Sequence, residues 1–118
     1  MRTQYRTSLP PHWQPVSAIF AALGDETRQR ILLLFDEEEE LSIKDIAAQF
    51  DLGRTTVVHH LAMLERADIL DTRRAGKHAF YSVRPGVILD ALEKLHLYIE
   101  EEYPATYREY RRTSHEPK

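Results

Sequence analysis

The side chains here that could do chemistry are six histidines, a set of acids and a band of cations; there is no cysteine. Between Gly53 and Arg84, the cations Arg54, Arg66, Arg73, Arg74, Lys77 and Arg84 outnumber the acids Glu65, Asp68 and Asp71. Acid is concentrated elsewhere, at Asp36 to Glu40 and Glu100 to Glu102, so a net charge of −3 conceals one basic region. Arg and Lys interleaved with Thr, Val and His suit double-stranded DNA. The cations meet phosphates, while hydroxyl, small apolar and imidazole groups reach base edges. Catalysis finds no comparable set. Without a thiol, a G-x-S-x-G turn or a glycine-rich phosphate loop, no enzyme and no cofactor are expected.

The histidines do not gather into a metal site. His59 and His60 are adjacent, and neighbours on a helix diverge by about a hundred degrees, so they cannot share an ion. His60 reads as a packing residue and His59 as the exposed one. Glu93, His96 and Glu100 fall on one helix face at spacings of three and four, where they read as solvated side chains rather than a clamp. The acidic run at Glu37 to Glu40 lacks the alternating oxygen ligands of a calcium loop. No metal is expected.

Two helices and a hairpin must position the basic region. Ile43, Ile46, Ala47 and Phe50 fall at helical spacing, with Ser42 as N-cap and Asp45 in capping-box position. Val57, Leu61 and Leu64 form a second stripe, and Asp51-Leu52-Gly53 breaks the pattern between the two. Helix, three-residue turn and helix make a helix-turn-helix unit. Its second helix exposes Arg54, Thr55, Thr56, Val58 and His59, the candidate base-reading residues. Ile69 to Arg74 and His78 to Val83 read as strands around Ala75-Gly76-Lys77, a hairpin wing. Arg73, Arg74, Lys77 and His78 at its tip suit phosphate contact. The fold class is mainly α with a β-hairpin wing, a dimeric winged helix-turn-helix of about five helices and one two-stranded hairpin.

The remaining elements flank this unit. Met1 to Pro15 has three prolines and few aliphatics and reads as a flexible arm with Trp13 docking at its end. Val16 to Leu23 is apolar almost all round, Gly24 ends it, and Asp25 caps a helix over Thr27 to Phe35, with Arg28 and Arg30 outward. Pro85-Gly86 separates the wing from a long helix, Val87 to Tyr103. Along it, Ile88, Leu92, Leu95, Ile99 and Tyr103 make a seam that exceeds the needs of one small core. With Ile19 and Phe20 from the first helix, Ile88, Leu92, Leu95 and Ile99 are the expected dimer interface. Ala105 to Lys118 reads as a polar, mobile tail anchored by Tyr107 and Tyr110. The division is thus an arm over 1–15, a winged helix domain over 16–103 and a tail over 104–118.

Composition agrees with one globular domain: 42% of residues are hydrophobic and 30% charged, far from a disordered chain. No apolar run reaches membrane-span length and no signal-peptide core opens the chain, so a cytoplasmic protein without a membrane partner is expected.

The order of these motifs resembles the ArsR/SmtB family of small bacterial repressors. The resemblance is carried by Asp25-Glu26-Thr27-Arg28-Gln29-Arg30-Ile31-Leu32, then Lys44 to Ala48, Thr55 to Leu64, and Gly76 to Val83. It runs from about Phe20 to about Glu101. It implies a homodimeric repressor binding an imperfect palindrome, with first and last helices at the interface. Metal-sensing members of the family place two cysteines at positions that here hold Ser42 and Lys44. Others use acid and histidine at positions that here hold Pro85, Val87, Tyr98 and Glu101. Both familiar sites are missing, which leaves an unknown small-molecule effector between the first and last helices, or no signal beyond protein level. The rival reading is a winged helix kept as a protein–protein interaction module.

Overall fold

A computed structural model of the protein describes residues 1–114; residues 115–118 of the expected tail lie outside it. After a 3-10 turn at Pro11–Trp13 come α1 (Gln14–Leu23), α2 (Glu26–Leu32), β1 (Leu41–Ser42), α3 (Ile43–Ala47) and α4 (Arg54–Arg66). The wing, β2 (Leu70–Ala75) and β3 (His78–Val83), follows, then α5 (Pro85–Glu102) and α6 (Pro104–Ser114). The winged helix-turn-helix expected from the sequence is present, with two additions.

The first addition is a third strand. Leu41 pairs with Tyr81 and Ser42 with Phe80, so the sheet is antiparallel in the order β1-β3-β2. Two residues carry too little alternation to be read as a strand; β3 supplies the ladder that makes them one. The second is α6, where a mobile tail was expected. Pro104 begins a helix rather than only ending one, since proline's fixed φ and missing N–H suit a first helical position. Pro85 acts in the same way, standing at the start of α5.

Local signals place the helix-turn-helix and the wing. Ser42 Oγ accepts from the Asp45 amide at 3.1 Å and the Asp45 carboxylate accepts from the Ser42 amide at 3.0 Å, a complete capping box for α3. These bonds from Ser42 hold the Asp45 carboxyl below its ordinary value. Their stabilising effect is therefore full above that value and is lost as pH falls through the lowered one. At the far end of α4, Asp68 adopts φ 61°, and bonds from Asp68 N to Glu65 O and from Ile69 N to Leu64 O close the helix. This Schellman arrangement turns the chain from α4 into β2. The wing's two-residue turn has Gly76 at φ 62°, a left-handed backbone that favours glycine.

One core lies beneath the helix-turn-helix. Val57, Leu61 and Leu64 of α4 are fully buried, against Ile31, Ile46, Ile69 and Leu70. Val16, Ile19 and Ala22 of α1 join them, with Tyr81 of the wing and Ala91 of α5. Fully burying each large aliphatic contributes roughly 1.5–3 kcal/mol, so α4 is fastened along its whole inner stripe. The arm lies against α5, where Arg2 donates to Glu102 at 2.6 Å and Trp13 meets Tyr98 edge-on at 5.4 Å.

Arg28 corrects the sequence reading. Expected outward beside Arg30, it is buried at 9% exposure, while Arg30 is exposed and lies over the Phe50 ring at 5.1 Å. The α2 helix also stops at Leu32, short of Phe35.

Candidate nucleic-acid interface

The inner stripe of α4 fixes what its outer face presents. With Val57, Leu61 and Leu64 inward, Arg54, Thr55, Thr56, Val58 and His59 are all exposed, Val58 at 38%. A 38% exposed valine on a helix otherwise well packed is an apolar group free to meet a thymine methyl.

The start of α4 faces the wing across a groove of about 470 Å³. Lys44, Arg54, Arg74, Lys77 and His78 line it, with Phe80 on one side. None of its lining residues is acidic. Three separate elements therefore turn cations toward one space. Lys44, on α3, was not among the residues chosen from sequence. Its exposed place in the first turn of the capped helix was the available signal, hidden by the reading of that position as a vacant metal ligand.

Arg73 behaves differently from its neighbours. Its Nε and Nη2 donate to the two Glu40 carboxylate oxygens at 2.9 and 3.0 Å, and its guanidinium lies 4.9 Å over the Phe80 ring. Bidentate bonds hold the Glu40 carboxyl below, and the Arg73 guanidinium above, their ordinary values. The acidic loop thus ties down one wing cation. Glu40→Gln should free Arg73, raise affinity for DNA of any sequence and steepen the salt dependence by about one ion. An unchanged salt slope would place Arg73 away from phosphate even when released.

The wing is braced to α4 by the Thr72 hydroxyl, which donates to the Glu65 carboxylate. His60, expected to pack, has its side chain 14% exposed. His96, weighed in a metal clamp with Glu93 and Glu100, meets the Tyr107 hydroxyl at 2.6 Å through Nε2.

A family model described as a helix-turn-helix domain matches residues 23–73, spanning α2 to the wing. Over 74 residues the chain is 31% identical to the transcriptional repressor SdpR of Bacillus subtilis (strain 168), covering 63% of this chain and 81% of that one. It is 33% identical over 86 residues to a cadmium resistance transcriptional regulatory protein CadC homolog of Staphylococcus aureus, covering 73% and 71%. The chain belongs to the ArsR family of helix-turn-helix transcriptional regulators. This ArsR-family protein also shares the fold of an ArsR-like transcriptional regulator from Rhodococcus sp. RHA1. The TM-score is 0.70 at 20% identity, over 87% of this chain and 95% of that one.

As an ArsR-family member, the protein is a DNA-binding transcriptional regulator. The cationic groove and exposed α4 face are the features such a function needs, and the interaction-module reading is not favoured. Of the six residues expected at a dimer interface, Ile19 is buried in the chain's own core at 7% exposure and Phe20 and Ile88 pack against that core. Leu92 and Ile99 are exposed at 47% and 39%, with Leu95 between them.

Proposed function

We propose that this regulator is a homodimeric repressor that binds an imperfect palindrome in double-stranded DNA and blocks an overlapping promoter. In this reading Arg54, Thr55, Thr56, Val58 and His59 enter the major groove, and Arg74, Lys77 and His78, with Lys44, hold the flanking phosphates. Arg73 joins them when it leaves Glu40. The observation that carries the reading is the groove shared by the start of α4 and the wing, lined by Lys44, Arg54, Arg74 and Lys77 without an acid.

The second subunit is assigned to the outer side of α5. There Leu92, Leu95 and Ile99 share a mainly apolar groove of about 420 Å³ with Tyr107 and Tyr110 of α6. The α6 helix then belongs to the dimer seam, and the assembling unit extends beyond residue 103. Any small-molecule effector has a second groove, of about 310 Å³, between the Trp13 turn and Leu97, Tyr98 and Glu101 of α5. Among the described residues no helix is long and apolar enough to cross a membrane, and a role on chromosomal DNA supports a cytoplasmic place.

Selection from a random duplex pool, followed by a salt titration on the selected sequence, tests the reading. Affinity should fall steeply and linearly on logarithmic axes through counterion release. A salt-insensitive complex, or no enrichment, would sink it. The metal response is a separate expectation. A tight site needs three or four convergent thiolate, imidazole or carboxylate ligands, and the family's positions hold Ser42, Lys44, Pro85, Val87 and Tyr98. Stoichiometric zinc, nickel, cobalt or copper should leave operator affinity unchanged. A loss of about tenfold, or ~1.4 kcal/mol of coupling, that disappears in His96→Ala would reveal a sensor on α5.

A further inference from the structure

Arg28 is the buried charged side chain of the described core, and burial of a charge is tolerated only where hydrogen bonds satisfy it. Its Nε donates to Ala22 O at 2.6 Å and its Nη2 to Ala21 O at 3.2 Å. Both carbonyls lie in the last turn of α1, at the negative end of the helix dipole, and Ala21 O also accepts from the Gly24 amide at 3.3 Å. That explains how a guanidinium is held inside the protein. It does not explain its third arm.

Nη1 points the other way, to α4, reaching His60 Nδ1 at 3.2 Å and Met63 Sδ at 3.4 Å. A guanidinium has no acceptor, so Nδ1 must offer its lone pair and the ring hydrogen sits on Nε2. The Asp25 carboxylate is 3.9 Å from the same Nδ1, too far for a hydrogen bond, and instead caps α2 at the Arg28 amide, 3.0 Å away. One rigid, planar group thus joins the end of α1, the first turn of α2 and the middle of α4.

Beyond this fork, α4 is held by its apolar stripe of Val57, Leu61 and Leu64 and, on the wing side, by the Thr72–Glu65 hydrogen bond. Apolar contact is non-directional; the guanidinium fork is directional. We propose that Arg28 is a positioning residue for DNA reading. Through His60 and Met63 it fixes the rotation and depth of α4, so base discrimination by Val58 and His59 depends on a side chain that never touches DNA. This rests on α4 being the helix that reads bases.

The test uses the full chain, a duplex selected from a random pool and a scrambled duplex of equal length, with the ratio of the two affinities as readout. A thermal melt of each variant reports folding. His60→Leu keeps bulk but offers Nη1 no acceptor. It should lower the ratio by about tenfold, while affinity for the scrambled duplex, which depends on phosphate contact, stays within about twofold. His60→Gln, whose amide oxygen can accept from Nη1, should keep the ratio within about threefold of the natural protein. Should the leucine variant not melt cooperatively, His60→Ala takes its place with the same expected ratio. A folded Leu or Ala variant with an unchanged ratio overturns the proposal. So does a Gln variant that falls as far as Leu, because His60 would then act other than through Arg28. Arg54→Ala, Val58→Ala and His59→Ala in the same assay separate the premises: if all three leave the ratio unchanged, α4 does not read bases and the proposal falls with that reading. If any of the three lowers the ratio and His60→Leu does not, the fault lies with Arg28 alone.

Discussion

Leu92→Glu is expected to leave a folded chain that has lost its hold on operator DNA. Leu92 is 47% exposed in the single subunit, so a glutamate there keeps its carboxylate in water and the fold is hardly disturbed. Across the proposed seam with Leu95 and Ile99, each subunit would bury an unpaired charge. At a cost of roughly 4 kcal/mol or more, dimer affinity should fall by about three powers of ten. A lone subunit offers one reading helix where an operator asks for two, about 34 Å apart. Sedimentation should show a monomer, and affinity for the full operator should drop by about a hundredfold or more. A monomeric variant with native operator affinity would remove the dimer from the reading. A variant that remains dimeric would move the seam off this face of α5.

Arg54→Ala should change which sequences are bound, not only how tightly. Arg54 is exposed in the first turn of α4 and lines the cationic groove, so its fork can meet O6 and N7 of a guanine. Loss of a bidentate contact should cost roughly 1–3 kcal/mol on the preferred base and relax preference at that position. Lys77→Ala, on the wing tip, should instead weaken all duplexes alike and lower the salt slope by about one. Repeating the random-pool selection with each variant distinguishes the two. Identical, sequence-independent losses would argue against major-groove placement of α4.

The parts of this molecule legible in its sequence are those that depend on local periodicity. Ser42 with Asp45, the Val57-Leu61-Leu64 stripe and Gly76 each encode their structure within a few positions. What escaped depends on partners distant along the chain. Arg28 looks like a surface cation until the C-terminal carbonyls of α1 and the imidazole of His60, 32 positions away, close around it. Arg73 looks like a free phosphate contact until Glu40, 33 positions earlier, is brought beneath it. Leu41 and Ser42 are too few to show alternation, and Pro104 reads as a stop until the sequence beyond it folds. The candidate interface was legible in its residue types. Lys44 and the detour of Arg73 were not, because both follow from where the wing docks.

The short ladder between β1 and β3 has a consequence for synthesis. Leu41 and Tyr81, paired across it, are 40 positions apart, and the residues proposed to read DNA lie between them. Contacts so distant along a chain form only after the local ones, once a large loop has been closed. On the ribosome, α3 and α4 are therefore made well before the strand that clasps their leading edge. A chain ending before Tyr81 would carry α4 without the clasp, and without the face of α5 proposed to hold the second subunit. In the proposed reading, competence to occupy an operator therefore waits for β3 and α5, which follow the reading helix in the chain.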